Sequence, residues 1–170
     1  MNAVQFYEGH TLESGLNYAA AMNFREGYLE GHHSYIQWLF PTDEPSMFNA
    51  DAPVLDEMQI AQFRVRTDLR YKMLMAFEKM LDFYGFTYLV DSFQIVPKTV
   101  INPDTAHWLC YGDHNYLRIT RILKSLKLCG LEYFAHKFYE ALKKVYLEFP
   151  KYIGENTFGY WTRAVTPATT

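Results

Sequence analysis

The sequence predicts a mainly α protein: a single compact helical domain of about six helices, with a short β-hairpin or an extended loop near residues 86–101. Apolar residues recur at helical spacing along several segments, which is the main observation behind this prediction. The length of 170 residues fits one domain, 1–170, that can bury a core without disulfides or metal ions. Aromatic residues make up 18% of the chain, so we expect a core built largely from rings.

The first half of the chain is predicted to contain three helices. The first spans 15–28 and has a small apolar side, whereas the stretch around Phe6 and Tyr7 follows no clear pattern. The second spans 33–40 and is apolar nearly all round, which predicts burial. A loop with two prolines follows it. The third helix begins at a capping box formed by Asp56 and Gln59 and ends near Gly85, which suits a C-terminal cap.

The second half is predicted to contain the hairpin or loop and three more helices. Asp113 can cap a helix that runs to Cys129 and is closed by Gly130. A clean apolar stripe then runs from 131 to 149, and Pro150 ends it. A last short helix includes Trp161. The predicted core consists of Met73, Phe77, Met80, Ile122, Leu126, Phe134, Phe138 and Leu142.

The helix from 114 to 128 carries two arginines in an unusual position. A helical wheel gives one apolar lane that contains Ile122 and a second that contains Leu117 and Leu128. Arg118 and Arg121 lie between these lanes, with His114 and Ser125, whereas Lys124 and Lys127 fall on the side expected to face water. If the arginines are partly buried, they need carbonyl or anionic partners. The candidate acids are Glu44, which we favour, and Asp43, Glu30 and Glu132; an external anion is the alternative.

His33 and Gln37 share a face of the short buried helix because they are four residues apart. One interpretation is that they hydrogen-bond a nearby backbone or side chain. The other is that they lie beside the arginines in a polar pocket rimmed by Tyr35 and Trp38. We expect no metal site, since no helix carries H-x-x-x-H or H-E-x-x-H. The sequence also contains no phosphate-binding loop motif and no nucleophile-elbow motif.

Composition limits the function further. Sixteen basic and 19 acidic residues give a formal net charge of -3, which argues against nucleic-acid binding. Cys110 and Cys129 form no C-x-x-C pair, so we expect reduced thiols in a cytoplasmic or nuclear protein that is not secreted. The N-terminus has no signal-peptide pattern, and no apolar run approaches the length needed to cross a bilayer.

Two stretches, HSYIQWLFPTDEPSMFN and HNYLRITRILKSLKLCGLE, resemble the signatures of the opioid growth factor receptor conserved region. MLDFYGF and FGYWTRAV are similar to further segments of that family, and the likeness spans about residues 6–165. The match is loose in the first 30 residues and absent in DSFQIVPKTVIN. The resemblance implies an α-helical domain of a peptide-hormone receptor that does not span the membrane, and that is nuclear or perinuclear in animals. We expect a single-domain member without the family's long repeat-rich tail.

The resemblance also implies which residues to consider as a ligand-binding site. The motif positions that match are His33, Tyr35, Gln37, Trp38, His114, Asn115, Arg118 and Arg121. We expect one polar cluster inside a ring of aromatics, with Glu44 as a structural partner; its six members would be His33, Gln37, His114, Asn115, Arg118 and Arg121. No catalytic residues and no cofactor are implied.

Three functions compete at this stage. The first is a binding module that holds a peptide, a protein partner or an anionic small molecule. The second is an enzyme that acts on a phosphorylated or nucleotide substrate, with the arginines as an anion clamp and a histidine as acid or base. The third is nucleic-acid binding through the basic residues of the long helix, which are Arg64, Arg66, Arg70 and Lys72. The sequence favours the first, because it contains no motif for a nucleophile with its base.

Overall fold

The protein is described by a computed structural model that covers residues 1–47 and 49–166. Its first part contains four short helices: α1 (Ala3–Tyr7), α2 (Tyr18–Met22), α3 (Glu26–Gly31) and α4 (Ser34–Leu39). The single helix predicted over 15–28 is therefore two helices. Asn17 caps α2 because its side chain accepts a hydrogen bond from the backbone N–H of Ala20 at 2.8 Å.

The long helix predicted to start at Asp56 is also divided, into α5 (Glu57–Val65) and α6 (Thr67–Phe83). Asp56 caps α5 as predicted, by accepting a hydrogen bond from the Gln59 N–H at 2.7 Å. The break lies at Arg66, whose ψ of 111° is extended. Its guanidinium contacts Glu8 at 2.6 Å and Asp68 at 2.7 Å, so ion pairs hold the chain at the bend.

The stretch near 86–101 contains the hairpin, which decides between the two predicted alternatives. Strands β1 (Phe86–Leu89) and β2 (Gln94–Pro97) are antiparallel, with Phe86 opposite Pro97. The hairpin packs on α6 and on α8 (Glu132–Glu148). It thereby buries Phe86 against the helical core.

Three further helices complete the fold: α7 (Asn115–Leu128), α9 (Pro150–Ile153) and α10 (Glu155–Val165). The helices α7, α8 and α10 pack against one another. Gly130 follows α7 with a φ of 83°, and a Cβ there would lie 3.3 Å from the Arg64 side chain. Glycine therefore suits both the backbone turn and the close approach of α5.

The core is aromatic, as predicted. Seven of the eight predicted core residues are buried, and Phe134 is half-buried. Phe138 contacts the rings of Phe77 and Phe86 at centroid distances of 5.6 and 5.7 Å. The mainly α prediction is confirmed: within 1–47 and 49–166 there are ten helices and one two-stranded sheet. The count exceeds six because two predicted helices are each divided into two, and because the very short helices α1 and α9 were not predicted.

Two features bear on the chemistry of the chain. Cys110 and Cys129 are free thiols, exposed and buried respectively, as predicted. Within the described part of the chain, none of the helices is long and apolar enough to pass through a bilayer.

Candidate functional site

Arg118 is the centre of the candidate site. Its side chain is buried, with the residue only 4% exposed, and it points from α7 to the junction between α3 and α4. The guanidinium donates hydrogen bonds to the carbonyl oxygens of Leu29 at 2.8 Å, Glu30 at 3.2 Å and His32 at 2.9 Å. It also donates to Nδ1 of His33 at 2.9 Å, so the predicted contact between the arginines and the first motif is confirmed.

Two buried side chains complete the surroundings of Arg118. Asn115 Oδ1 accepts a hydrogen bond from its guanidinium at 3.2 Å. The Tyr35 ring lies 5.7 Å from the guanidinium carbon, and its hydroxyl donates to the Leu29 carbonyl at 2.9 Å. Among the described residues, Nε is the buried donor of Arg118 that finds no partner. Arg118 therefore joins α7 to α3 and α4 through main-chain carbonyls rather than through a buried acid.

Arg121 lies one turn further along α7 and is half-buried. Its guanidinium donates one hydrogen bond, to the Phe40 carbonyl at 3.2 Å, at the end of α4. Burial lowers the pKa of Arg121, and the nearby negative charge of Glu44 partly opposes that shift. Within the described residues Arg121 thus has fewer partners than Arg118.

Glu44 does not form the predicted hydrogen-bonded pair with an arginine. Its carboxylate lies 2.8 Å from Nζ of Lys124, and that of Asp43 lies 2.9 Å from the same atom. Lys124 is half-buried, so the lysine that was expected to face water instead fixes the loop after α4. The loop after α4 therefore places both carboxylates at the ammonium of Lys124 rather than at the guanidinium of Arg121.

The second predicted apolar lane on α7 is also wrong in part. Leu117 is 57% exposed, and only Leu128 of that pair packs partly against the core. The lane with Ile122 is buried as predicted. Arg118 is buried because α3 and α4 cover it, and this long-range packing is not visible in the periodicity of α7.

A rim of polar side chains lies around the Glu30 carboxylate, next to Arg118. His114 Nε2 is 3.3 Å from Glu30 Oε1, and His107 Nε2 is 3.5 Å from Glu30 Oε2. Asn115 Nδ2 donates to Glu30 Oε2 at 3.2 Å. The rings of His33 and His114 meet edge to face at 5.3 Å. The structure thus brings His33, His114, Asn115 and Arg118 together.

Gln37 and Trp38 have other contacts. The Gln37 side chain donates to Ser46 at 2.9 Å and accepts from Asn49 at 2.6 Å, so it fixes the loop that follows α4. Trp38 packs on Phe6 at 5.4 Å and lines a separate cleft of about 690 Å³. The contacts of Gln37 and Trp38 thus lie away from Arg118, and the cluster is smaller than predicted.

The thiols offer no activated nucleophile. A hydrogen bond from the Cys110 thiol to Asp113 at 3.3 Å, with a smaller contribution from desolvation, raises the pKa of Cys110. Burial raises the pKa of Cys129 to about 12. Since the thiolate is the reactive form, neither cysteine has the lowered pKa of a catalytic residue.

Sequence reasoning missed part of the rim. His107 lies in the 98–114 loop, and no motif marks it. Glu30 was one of four candidate acids, and Asp113 was considered only as a helix cap. Loops of this length without regular structure are uncommon and are often functional. The length of the loop was therefore the one signal in the sequence that could have pointed to His107.

Comparisons with known proteins agree with the two motifs that meet here. The sequence model of the Opioid growth factor receptor (OGFr) conserved region matches residues 1–164. The rat opioid growth factor receptor is 40% identical over 114 residues, which is 66% of this chain and 20% of that protein. The human opioid growth factor receptor is also 40% identical over 114 residues, 66% of this chain and 17% of that protein.

The rat opioid growth factor receptor-like protein 1 is 41% identical over 106 residues, which cover 62% of this chain and 22% of that protein. The match thus spans about a fifth of the length of these relatives. No solved structure is significantly similar to this chain. Because the family match covers nearly all of the sequence, the chain belongs to the opioid growth factor receptor conserved-region family.

Proposed function

We propose that this protein is a non-catalytic binding domain for a peptide or protein partner, and that Arg121 binds an acidic group of that partner. The observation that carries the proposal is the state of Arg121. It is half-buried, its pKa is lowered by burial, and it donates one hydrogen bond among the described residues. A desolvated guanidinium is stabilised by additional acceptors, and a carboxylate is the acceptor that fits its geometry best.

The surroundings of Arg121 support the same proposal. Asp43 and Glu44 are already held by Lys124 at 2.9 and 2.8 Å, so they leave donors of Arg121 open. His33 lies on the same seam between α4 and α7 and is exposed. A peptide along this seam could contact both residues, while the buried Arg118 keeps α4 in position beneath it.

The relatives support a binding role through their names. Two of those given above are called opioid growth factor receptor, and a receptor binds a ligand. Their names cover proteins about five times longer than the matched segment, so the opioid ligand is not carried over to this chain. The peptide or protein class of the partner is what we take from them.

The competing functions have less support. An anion clamp for a phosphorylated or nucleotide substrate needs both arginines, and Arg118 is occupied by main-chain carbonyls. The basic residues near the α5–α6 junction are similarly engaged. Arg66 pairs with Glu8 and Asp68, Arg64 contacts Glu132 at 3.2 Å, and Lys72 donates to the Tyr7 carbonyl. These contacts leave little free positive charge for nucleic acid.

The test uses fluorescein-labelled ten-residue peptides in matched pairs. One peptide of each pair contains Asp and Glu, and in the other peptide these residues are replaced by Asn and Gln. Fluorescence anisotropy measures their affinity for the wild type, Arg121→Ala and the exposed control Arg25→Ala. We expect acidic peptides to bind more tightly than their amide partners. Arg121→Ala should weaken that binding roughly ten- to a hundred-fold, as for loss of a charged hydrogen bond.

Arg25→Ala should leave the affinities unchanged, because Arg25 lies on an exposed surface at the start of α3. Equal affinity for the acidic and amide peptides, or equal affinity of the wild type and Arg121→Ala, would contradict the proposal. Circular dichroism of each variant checks that the fold is intact, so that a loss of affinity reports the site alone.

A further inference from the structure

Glu30, Asp113 and His114 come together from separate segments. One ligand atom of each lies within 4.8 Å of those of the other two. Glu30 belongs to α3, while Asp113 and His114 end the loop before α7. We infer that these three residues and His107 form a binding site for Zn²⁺. The inference is independent of the proposed peptide site at Arg121.

The two distances between histidine and Glu30 fit such a site. Zinc bonds of about 2.0–2.2 Å give a tetrahedron whose edges, the distances between ligand atoms, are about 3.3–3.6 Å. His114 Nε2 is 3.3 Å from Glu30 Oε1, and His107 Nε2 is 3.5 Å from Glu30 Oε2. Zinc would lie between Glu30 and the two imidazoles, and the His107 ring would turn to complete the set.

The carboxylates are already oriented by neighbouring donors. The Asn115 N–H donates to Asp113 Oδ1 at 2.7 Å, and Cys110 Sγ lies 3.3 Å from Asp113 Oδ2. The Asn115 side chain donates to Glu30 Oε2 at 3.2 Å. Metal sites in proteins are organised by such outer hydrogen bonds, which hold the ligands before the ion arrives.

The donor types select the ion. Two imidazoles and two carboxylates offer two nitrogens and two oxygens, which suit a borderline cation such as Zn²⁺ better than Ca²⁺ or Mg²⁺. Two carboxylate charges balance the charge of the ion. The side chains of Glu30, His107 and His114 are each about 40% exposed, so an ion can enter from solvent. The absence of H-x-x-x-H, from which we expected no metal site, does not exclude this one, because its ligands come from α3 and a loop rather than from one helix.

The experiment uses untagged protein treated with EDTA and dialysed. Isothermal titration calorimetry with ZnCl₂ should give one site, and CoCl₂ should give the visible absorption of four-coordinate Co²⁺. Glu30→Gln and His114→Ala should each lower the zinc affinity at least tenfold, since even outer ligands contribute 10–100-fold. Zinc should raise the melting temperature of the wild type, because it binds the folded state.

His136→Ala is the matched control, because His136 is an exposed histidine on α8. It should bind zinc as the wild type does. Cys110→Ser should also keep the site, since the Cys110 side chain only donates a hydrogen bond to Asp113 and is not a proposed ligand. Absence of a zinc heat in the wild type, or equal affinity in Glu30→Gln, His114→Ala and His136→Ala, would overturn the inference. Circular dichroism without metal confirms that each variant is folded, so failure to fold is distinguished from failure to bind.

Discussion

Arg118 has five hydrogen-bond partners within the protein, and three of them are main-chain carbonyls at the end of α3 and directly after it. Each buried carbonyl oxygen that loses its hydrogen-bond donor lowers the free energy of unfolding by about 1–3 kcal/mol. The arginine is therefore a structural bridge, and its charge is compensated by oriented dipoles. Arg121 has one such bond, and it is the residue that we propose for ligand binding.

Replacing Arg118 by methionine tests the bridge. Methionine keeps much of the side-chain volume but removes the donors, so we expect the free energy of unfolding to fall by roughly 3–5 kcal/mol. Urea denaturation followed by circular dichroism gives the value. Arg25→Met is the control for losing a positive charge at an exposed position, and should change the stability by less than about 0.5 kcal/mol. A loss below about 1 kcal/mol in Arg118→Met would contradict the structural role.

Some residue positions could be predicted from the sequence because local periodicity carries them. The wheel of α7 located Arg118 beside Ile122, and the apolar run of α4 predicted a buried helix that Arg118 would meet. The partners of Arg118 could not be identified from the sequence, because every residue has a main-chain carbonyl and residue type does not show which of them accept a hydrogen bond. Glu44 was chosen because it follows the buried helix closely in sequence, whereas the path of the loop places its carboxylate beside Lys124.

At the scale of the element, helix ends were predicted better than helix breaks. Asp56 and Gln59 formed a recognisable cap, and Gly130 a recognisable end. The break at Arg66 has no glycine or proline to mark it. It depends on ion pairs with Glu8, which directly follows α1, and with Asp68, and the first of these is long-range. Breaks of this kind are a tertiary property.

The cap of α5 gives a prediction about pH. Hydrogen bonds from the Gln59 side chain, at 3.0 Å, and from its backbone N–H lower the pKa of Asp56. A depressed pKa means that the folded state favours the carboxylate. Its contribution to stability is therefore present above the unfolded value of about 3.9 and is lost as the pH falls through the lowered folded pKa.

Comparison of the wild type with Asp56→Asn isolates this contribution, because asparagine can cap the helix without titrating. Urea denaturation at several pH values should give a constant difference in stability between the two above about pH 5, and a shrinking difference below about pH 4. Asp91→Asn, a charge loss in the hairpin turn, corrects for general charge effects. A difference that stays constant down to about pH 2.5 would contradict the role of the carboxylate.

At the scale of the whole molecule, the aromatic rings connect the parts that the short helices leave separate. Phe138 on α8 contacts Phe77 of α6, Phe86 of β1 and Tyr84 between them. The fold class could be predicted because such a core needs only apolar residues at helical spacing. The proposed zinc site and the Arg118 contacts could not be predicted, since they depend on how α3 and the 98–114 loop pack against that core.

Truncating Phe138 tests whether the core acts as one unit. The residue is fully buried, so Phe138→Ala leaves a cavity among three elements, and we expect a loss of roughly 3–5 kcal/mol in the free energy of unfolding. Leu147→Ala on the same helix is the matched control, because Leu147 is mostly exposed and its truncation should change stability by less than about 0.5 kcal/mol. Near-ultraviolet and far-ultraviolet circular dichroism should show one coincident urea transition in both variants. A loss below about 1 kcal/mol for Phe138→Ala, or separate transitions in the wild type, would mean that the hairpin and helices do not share this core.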